Sequence, residues 1–312
     1  MIDFLASMLK LAKIPFTQNE PLAQKSTFKI GGTSKLYITP QNPEQLESSI
    51  NAVRNAEIPY FLIGGASNVV FPDGEFNGAI ISTQNLKEIF YESNTSTDNT
   101  ALVTCQCGVP MAAFVDFCTK HNLSGAEQFA GLPGSVGGAV YMNARCFDRS
   151  ISDILVSTRH IEFHEKKSVQ IQKDFCNEEW DYKKSPFQTS DNSKYILEAA
   201  FRLTKLSSND SISQKCKFYI AERVDKGHFK FPSAGSVFKN NHAFGKPSGK
   251  LIDEAGLKGL QIGGAQIAPF HGNFIINVNN AKAADVKQLV EKTQQIVKEK
   301  FGFLLEPEII FI

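Results

Sequence analysis

GLPGSVGGAVYMNA, residues 131–144, sets four glycines and a proline just ahead of an apolar run. Pro133 fixes one turn, Gly134 and the pair Gly137–Gly138 permit close approach, and Ala139–Ala144 can start a helix. A helix start brings a positive dipole end to the loop. IGGASN, residues 63–68, repeats this chemistry upstream. It leaves a buried strand through Gly64 and Gly65 into Ala66, Ser67 and Asn68. Glycines let backbone N–H groups converge into an anion-binding nest. Either loop alone also reads as a plain tight turn. Together they point to a diphosphate ligand. Neither loop is G-x-G-x-x-G, and GKPSGKL (245–251) lacks the Ser or Thr of a phosphate-binding P-loop. The expectation is a dinucleotide held outside a Rossmann fold.

The rest of the chain suits such a protein. Its 312 residues, 42% hydrophobic and 21% charged, are enough for about two domains. A net charge of +1 without a basic arm or acidic tail argues against nucleic acid and anionic membranes as partners. No run of eighteen apolar residues occurs, so no membrane insertion is expected. MIDFLASMLKLAKIPF (1–16) has an early Asp3 and late lysines, and reads as an amphipathic helix rather than a signal peptide. Six cysteines show no second pair at zinc-ligand spacing. Buried free thiols, no metal and a cytoplasmic setting are expected.

Helices are expected at 42–53, with Asn42 as cap and Pro43 in the first turn, and at 111–122 and 283–302, the last stopped by Gly302. Strands are expected at 35–40, 59–68, 77–83 and 194–206. A polar loop covers 93–100, and a hairpin at 159–172 turns at Glu165–Lys167. A polar linker at 207 passes into a helix and marks a domain boundary. FLLEPEIIFI (303–312) reads as a strand with Glu306 and Glu308 on the face of Leu304 and Ile310. Strands and helices mix without a βαβ rhythm, so the class is α+β.

PSAGSVFKNN (232–241) places Ser233, Ala234, Gly235 and Ser236 before Val237, Phe238, Lys239 and Asn240. It reads either as a turn or as a gap where a reacting atom meets a hydroxyl.

With STFKIGGTS (26–34), YKKSPF (182–187), AGLKGLQIGGAQIAPFHGNFIIN (255–277) and LEPE (305–308), these stretches resemble the UDP-N-acetylenolpyruvoylglucosamine reductase family, in order over Ser26–Glu308. The spacing of Tyr182 and Ser236 is that of the family's shorter layout, without an inserted tyrosine segment. The resemblance implies a vanillyl-alcohol-oxidase (PCMH)-type FAD-binding domain followed by a smaller α+β substrate-binding domain. On this chain that gives a flavin region at 1–206, in two lobes split near 84, and a substrate domain at 207–312. It implies noncovalent FAD held by Gly64, Gly65, Ala66, Ser67, Asn68, Pro133, Gly134, Ser135, Gly137 and Gly138.

The implied reaction serves peptidoglycan synthesis, and with it cell shape and division. NADPH reduces FAD. Hydride then passes to carbon 3 of the enolpyruvyl ether of UDP-N-acetylglucosamine, and Ser236 protonates carbon 2. Glu308 and Lys183 would stabilise the enolate. Tyr182, Arg223, Lys226, Asn240 and His271 would bind the substrate, and a monomer is expected. Three departures stand out: Lys183 where the family has arginine, Gly227–His228 where relatives more often read Gln-Pro, and Arg145 where glycine is usual. Two other readings are an FAD oxidase of the same fold and a non-catalytic relative that binds flavin or nucleotide sugar.

Overall fold

The computed structural model describes residues 1–92, 99–165 and 167–312. In chain order the first elements are α1 (Ile2–Leu11), β1 (Phe16–Pro21), β2 (Thr33–Ile38), α2 (Pro43–Asn55), β3 (Tyr60–Ile63), β4 (Val69–Val70), β5 (Glu75–Ser82), β6 (Ile89–Glu92) and β7 (Thr100–Gln106). Then come α3 (Met111–Lys120), β8 (Leu123–Ser124), α4 (Val136–Tyr141), β9 (Arg145–Cys146), β10 (Arg149–Ser150), β11 (Leu155–His164), β12 (Lys167–Asp174) and β13 (Lys194–Lys205). The last are α5 (Asp210–Asp225), β14 (Ser233–Ser236), α6 (Ser248–Glu254), β15 (Gln261–Ile262), β16 (Ala265–Ile267), β17 (Phe274–Asn277), α7 (Ala283–Phe301) and β18 (Ile310–Phe311).

The chain divides into two compact units. Unit 1 is 1–17, 36–65 and 78–221, and unit 2 is 18–35, 66–77 and 222–312. Unit 1 is built on an antiparallel sheet in the order β12-β11-β13-β7-β6, with β8 also on β13. Strand β3 pairs parallel to β5, Tyr60 opposite Ala79. One core joins Leu46, Ile50 and Val53 of α2, Phe114 and Cys118 of α3, and Phe201 of β13, all buried. The caps work as the residues require: the Asn42 side chain accepts the Gln45 N–H at 2.8 Å, with Pro43 following. The polar stretch at 93–100 falls mostly on residues 93–98, outside the described residues, as does position 166 of the β11–β12 turn. Burial of the thiols is only partial: Cys105, Cys107, Cys118 and Cys216 are buried, but Cys176 is exposed. Cys176 lies in the surface connection after β12, where its thiol donates to Glu178 Oε2 at 3.0 Å.

Unit 2 carries the sheet β14-β17-β16-β15 and the parallel pair β18-β4. Its core gathers Phe28, Phe238, Ile252, Leu289, Val297 and Leu305. Gly302 closes α7 at φ 78°, the left-handed region where a side chain would strain. At the other end of α7, the Asp73 carboxylate accepts the N–H groups of Ala283 (2.6 Å) and Ala284 (3.0 Å). An acid there also complements the helix dipole. The expected strand at 303–312 is shorter than its alternation predicted: pairing with β4 spans Ile310–Phe311, Leu304 is exposed, and Glu308 is half-buried. Pro307 has no N–H to offer a ladder, which limits the strand.

Candidate active site

In unit 1 the two glycine loops lie against each other. A Cβ on Gly65 would fall 2.6 Å from the Gly134 Cα, and one on Gly64 2.1 Å from the Ser135 Oγ. Gly137 is forced in the same way, since its Cβ would sit 2.7 Å from the Cys107 Cβ. These glycines answer to neighbouring chain as well as to any ligand. Ser135 caps α4, accepting the Gly138 N–H at 3.3 Å, so the helix begins three residues before the expected Ala139. Among the described residues, no backbone carbonyl takes the amide protons of Gly65 or Gly134. No acid occurs in 63–68 or 131–144. Gly65→Ala should therefore lower both the urea midpoint and the flavin retained on purification. Overpacking of this kind costs about 1–3 kcal/mol; an unchanged midpoint would mean the loops part freely.

Tyr182 and Lys183 are the two central residues of a tight turn. Lys184 N–H bonds the Asp181 carbonyl at 3.0 Å, and Lys183 has φ 57°. The turn is tied to the end of α4. Asn143 Nδ2 donates to the Asp181 carbonyl (2.8 Å), Ser185 Oγ to the Tyr141 carbonyl (2.7 Å) and Gln188 Nε2 to the Lys183 carbonyl (3.2 Å). Lys183 is half-buried and Lys184 exposed. Asn143 and Gln188 escaped sequence reasoning, although Asn143 stands inside the quoted loop. Arg145 lies on the β9–β10 hairpin and pairs with Asp148 at 3.4 Å.

Unit 2 gathers Ser236, Glu308 and Asn68. Strand β14 pairs with β17 through a bulge: Ser233 faces Ile276, yet Ser236 faces Phe274. Gly235 absorbs the extra residue at φ 76°, and a Cβ there would meet nothing within 4 Å. The small residues thus form a bulged strand beside open space. LEPE runs alongside: Glu308 N–H bonds the Val237 carbonyl at 2.7 Å, and Lys239 N–H the Glu306 carbonyl at 2.9 Å. Asn68 Nδ2 donates to the Glu308 carbonyl at 3.0 Å. Buried Asn273 clamps the same segment, accepting Phe238 N–H at 2.9 Å and donating back to its carbonyl at 2.8 Å.

Thr27 Oγ1 donates to the Ser233 carbonyl at 2.8 Å, and the Thr27 N–H bonds the Ala66 carbonyl. Beside it, the buried Ser26 hydroxyl has no partner among the described residues. Thr27 and Asn273 were visible only as members of quoted stretches. Arg223 is buried, while Lys226 is exposed and pairs with Glu222 at 3.1 Å. Asn240 accepts the Ser248 N–H at 2.9 Å. His271 Nδ1 accepts the Asn273 N–H at 3.2 Å, and burial lowers its pKa.

Spare amides at Gly65 and Gly134 and loops without carboxylates fit the diphosphate of FAD. A family of FAD binding domains matches residues 34–162, and the C-terminal domain of UDP-N-acetylenolpyruvoylglucosamine reductase matches 227–312. The chain is 46% identical to the UDP-N-acetylenolpyruvoylglucosamine reductase of Treponema denticola, over 94% of this chain and 92% of that one. It is 42% identical to that of Borreliella burgdorferi, over 99% and 98%. The crystal structure of the reductase from Thermus caldophilus superposes with a TM-score of 0.73 at 28% identity, over 96% of this chain and 99% of that one. Flavin and C-terminal domains follow in the expected order, and the α+β class holds. The chain belongs to the UDP-N-acetylenolpyruvoylglucosamine reductase family.

Proposed function

We propose that this FAD-dependent oxidoreductase reduces the enolpyruvyl ether of UDP-N-acetylglucosamine to UDP-N-acetylmuramate, with NADPH as reductant, in the cytoplasm. FAD, when bound, carries hydride between reductant and substrate. The observation that carries the reading is Ser236, whose strand bulges at Gly235 onto open space, while the segment that follows it, Val237–Lys239, is hydrogen-bonded to Glu306 and Glu308. Ser236 donates its hydroxyl proton to carbon 2. A serine is a weak acid, so the acceptor carbon must be strongly basic at that moment. Lys183, as a cation, and Glu308, as a proton-bearing group, stabilise the charge that develops on the substrate carboxylate. Lys183 does so as a point charge, without arginine's planar fork. Arg223, Lys226, Asn240 and His271 take the nucleotide end, and Tyr182 lines the sugar. Residues 1–206 serve the flavin and 207–312 the substrate.

The test is anaerobic. NADPH should bleach the flavin spectrum, and the enolpyruvyl substrate should restore it while the product appears. Recovery only on admitting oxygen would mark an oxidase instead. The flavin is proposed to be noncovalent, because neither glycine loop offers a His or Cys. Trichloroacetic acid should leave a colourless protein pellet; a yellow pellet would show a covalent bond.

A further inference from the structure

The end of α5 fixes one imidazole in an unusual setting. Gly227 N–H bonds the Val224 carbonyl at 2.9 Å, and His228 N–H bonds the Arg223 carbonyl at 3.0 Å. With Gly227 at φ 77°, this is a Schellman closure. It turns the His228 ring onto Phe274, stacked at 4.8 Å between centroids, and leaves it 5.8 Å from the His271 ring. Among the described residues, neither ring nitrogen of His228 has a hydrogen-bond partner. The two imidazoles differ in this respect, since His271 Nδ1 already accepts the Asn273 N–H and would lose that bond on protonation.

The charged groups facing His228 are all cationic when charged. Arg223 comes from α5, Lys226 from the turn that follows it, and His271 from the loop before β17. His271 in turn faces Lys226 and Lys258. Glu222 pairs with Lys226 and Asp253 with Lys258. Two features favour a cation at His228 once an anion offsets these neighbours. The ring is half-buried, so a bound anion would act on it through little water. It also sits past a helix C-terminus, where the macrodipole is negative.

We propose that His228 takes up one proton when the diphosphate of the nucleotide-sugar substrate binds unit 2, so that it joins the anion-binding set only with the anion present. This rests on the reductase reading above. In the free protein, burial and then Arg223, His271 and Lys226 lower the His228 pKa to about 4, so the ring is neutral at neutral pH. The diphosphate raises that value. Between the lowered and the raised value, binding draws a proton from solvent, and affinity rises as pH falls. The gain is at most about tenfold per pH unit for one proton. It ends below the free-state value, where both states are protonated.

The test is calorimetry of the enolpyruvyl substrate on oxidised holoenzyme without NADPH, in two buffers of different ionisation enthalpy, at about pH 6 and about pH 8. The substrate's diphosphate is esterified at both ends and keeps its charge throughout. Wild type should take up close to one proton at the lower pH and bind several-fold tighter there. His228→Asn should abolish the uptake. Binding without proton uptake in wild type, or uptake that survives in His228→Asn, overturns the inference. Wild type that binds no substrate at either pH refutes the reductase reading itself. The wild-type measurement decides without any variant, should one fail to fold.

Discussion

Ser236→Ala should leave flavin reduction by NADPH intact and slow the substrate half-reaction by ~10²–10⁴, the usual worth of a placed general acid. The separation follows from where the hydroxyl sits. Ser236 joins β17 through its backbone opposite Phe274, so alanine removes the proton donor and keeps the bulged strand. Hydride arrival from NADPH needs no serine proton. Rapid mixing of each half-reaction is the measurement. Equal slowing of both halves would mean that Ser236 only shapes the strand.

Lys183→Met should cost the substrate half-reaction ~2.7–4 kcal/mol, the range for losing one donor to a developing oxyanion. Methionine keeps much of the apolar stem and deletes the charge. The left-handed backbone at φ 57° is equally unfavourable for lysine and methionine, so the comparison isolates charge from turn strain. Lys183→Arg should keep substantial activity. Exposed Lys184, on the flank of the same turn, is the control. Should Lys184→Met slow reoxidation by substrate while Lys183→Met does not, the roles are reversed. Should neither matter, Arg145 is the next cation to remove.

Elements whose ends are written in local chemistry were legible in the sequence. Asn42–Pro43 and Gly302 mark helix ends through bonds made within a few residues. The glycine loops were legible as a site but not as packing. Gly65 against Gly134 and Gly137 against Cys107 are contacts across long sequence separations, invisible in a pattern. The same holds for YKKSPF. Asn143, 38 residues from Asp181, holds it in a turn through the Asp181 carbonyl. Glu308 was placed beside Leu304 by alternation. The glutamate's backbone is set instead by its N–H on the Val237 carbonyl and by the Asn68 side chain on its own carbonyl. Nor did composition reveal that 18–35 and 66–77 pack with 222–312, because each segment is too short to carry a core of its own.

The parallel pairing of β4 with β18 has a consequence for birth on the ribosome. Val69 and Val70 find Ile310 and Phe311 only after about 240 further residues are made, which at ~5–20 residues per second is ~12–50 s. Asp73 likewise waits for the helix it caps. During synthesis Val69, Val70 and Phe71, buried in the finished protein, are an apolar strand without its edge partner. Unit 2 can be completed only after the last turn of α7 clears the exit tunnel. The nascent chain therefore depends longest on chaperone cover at its early segment 66–77, rather than at the residues that emerge last.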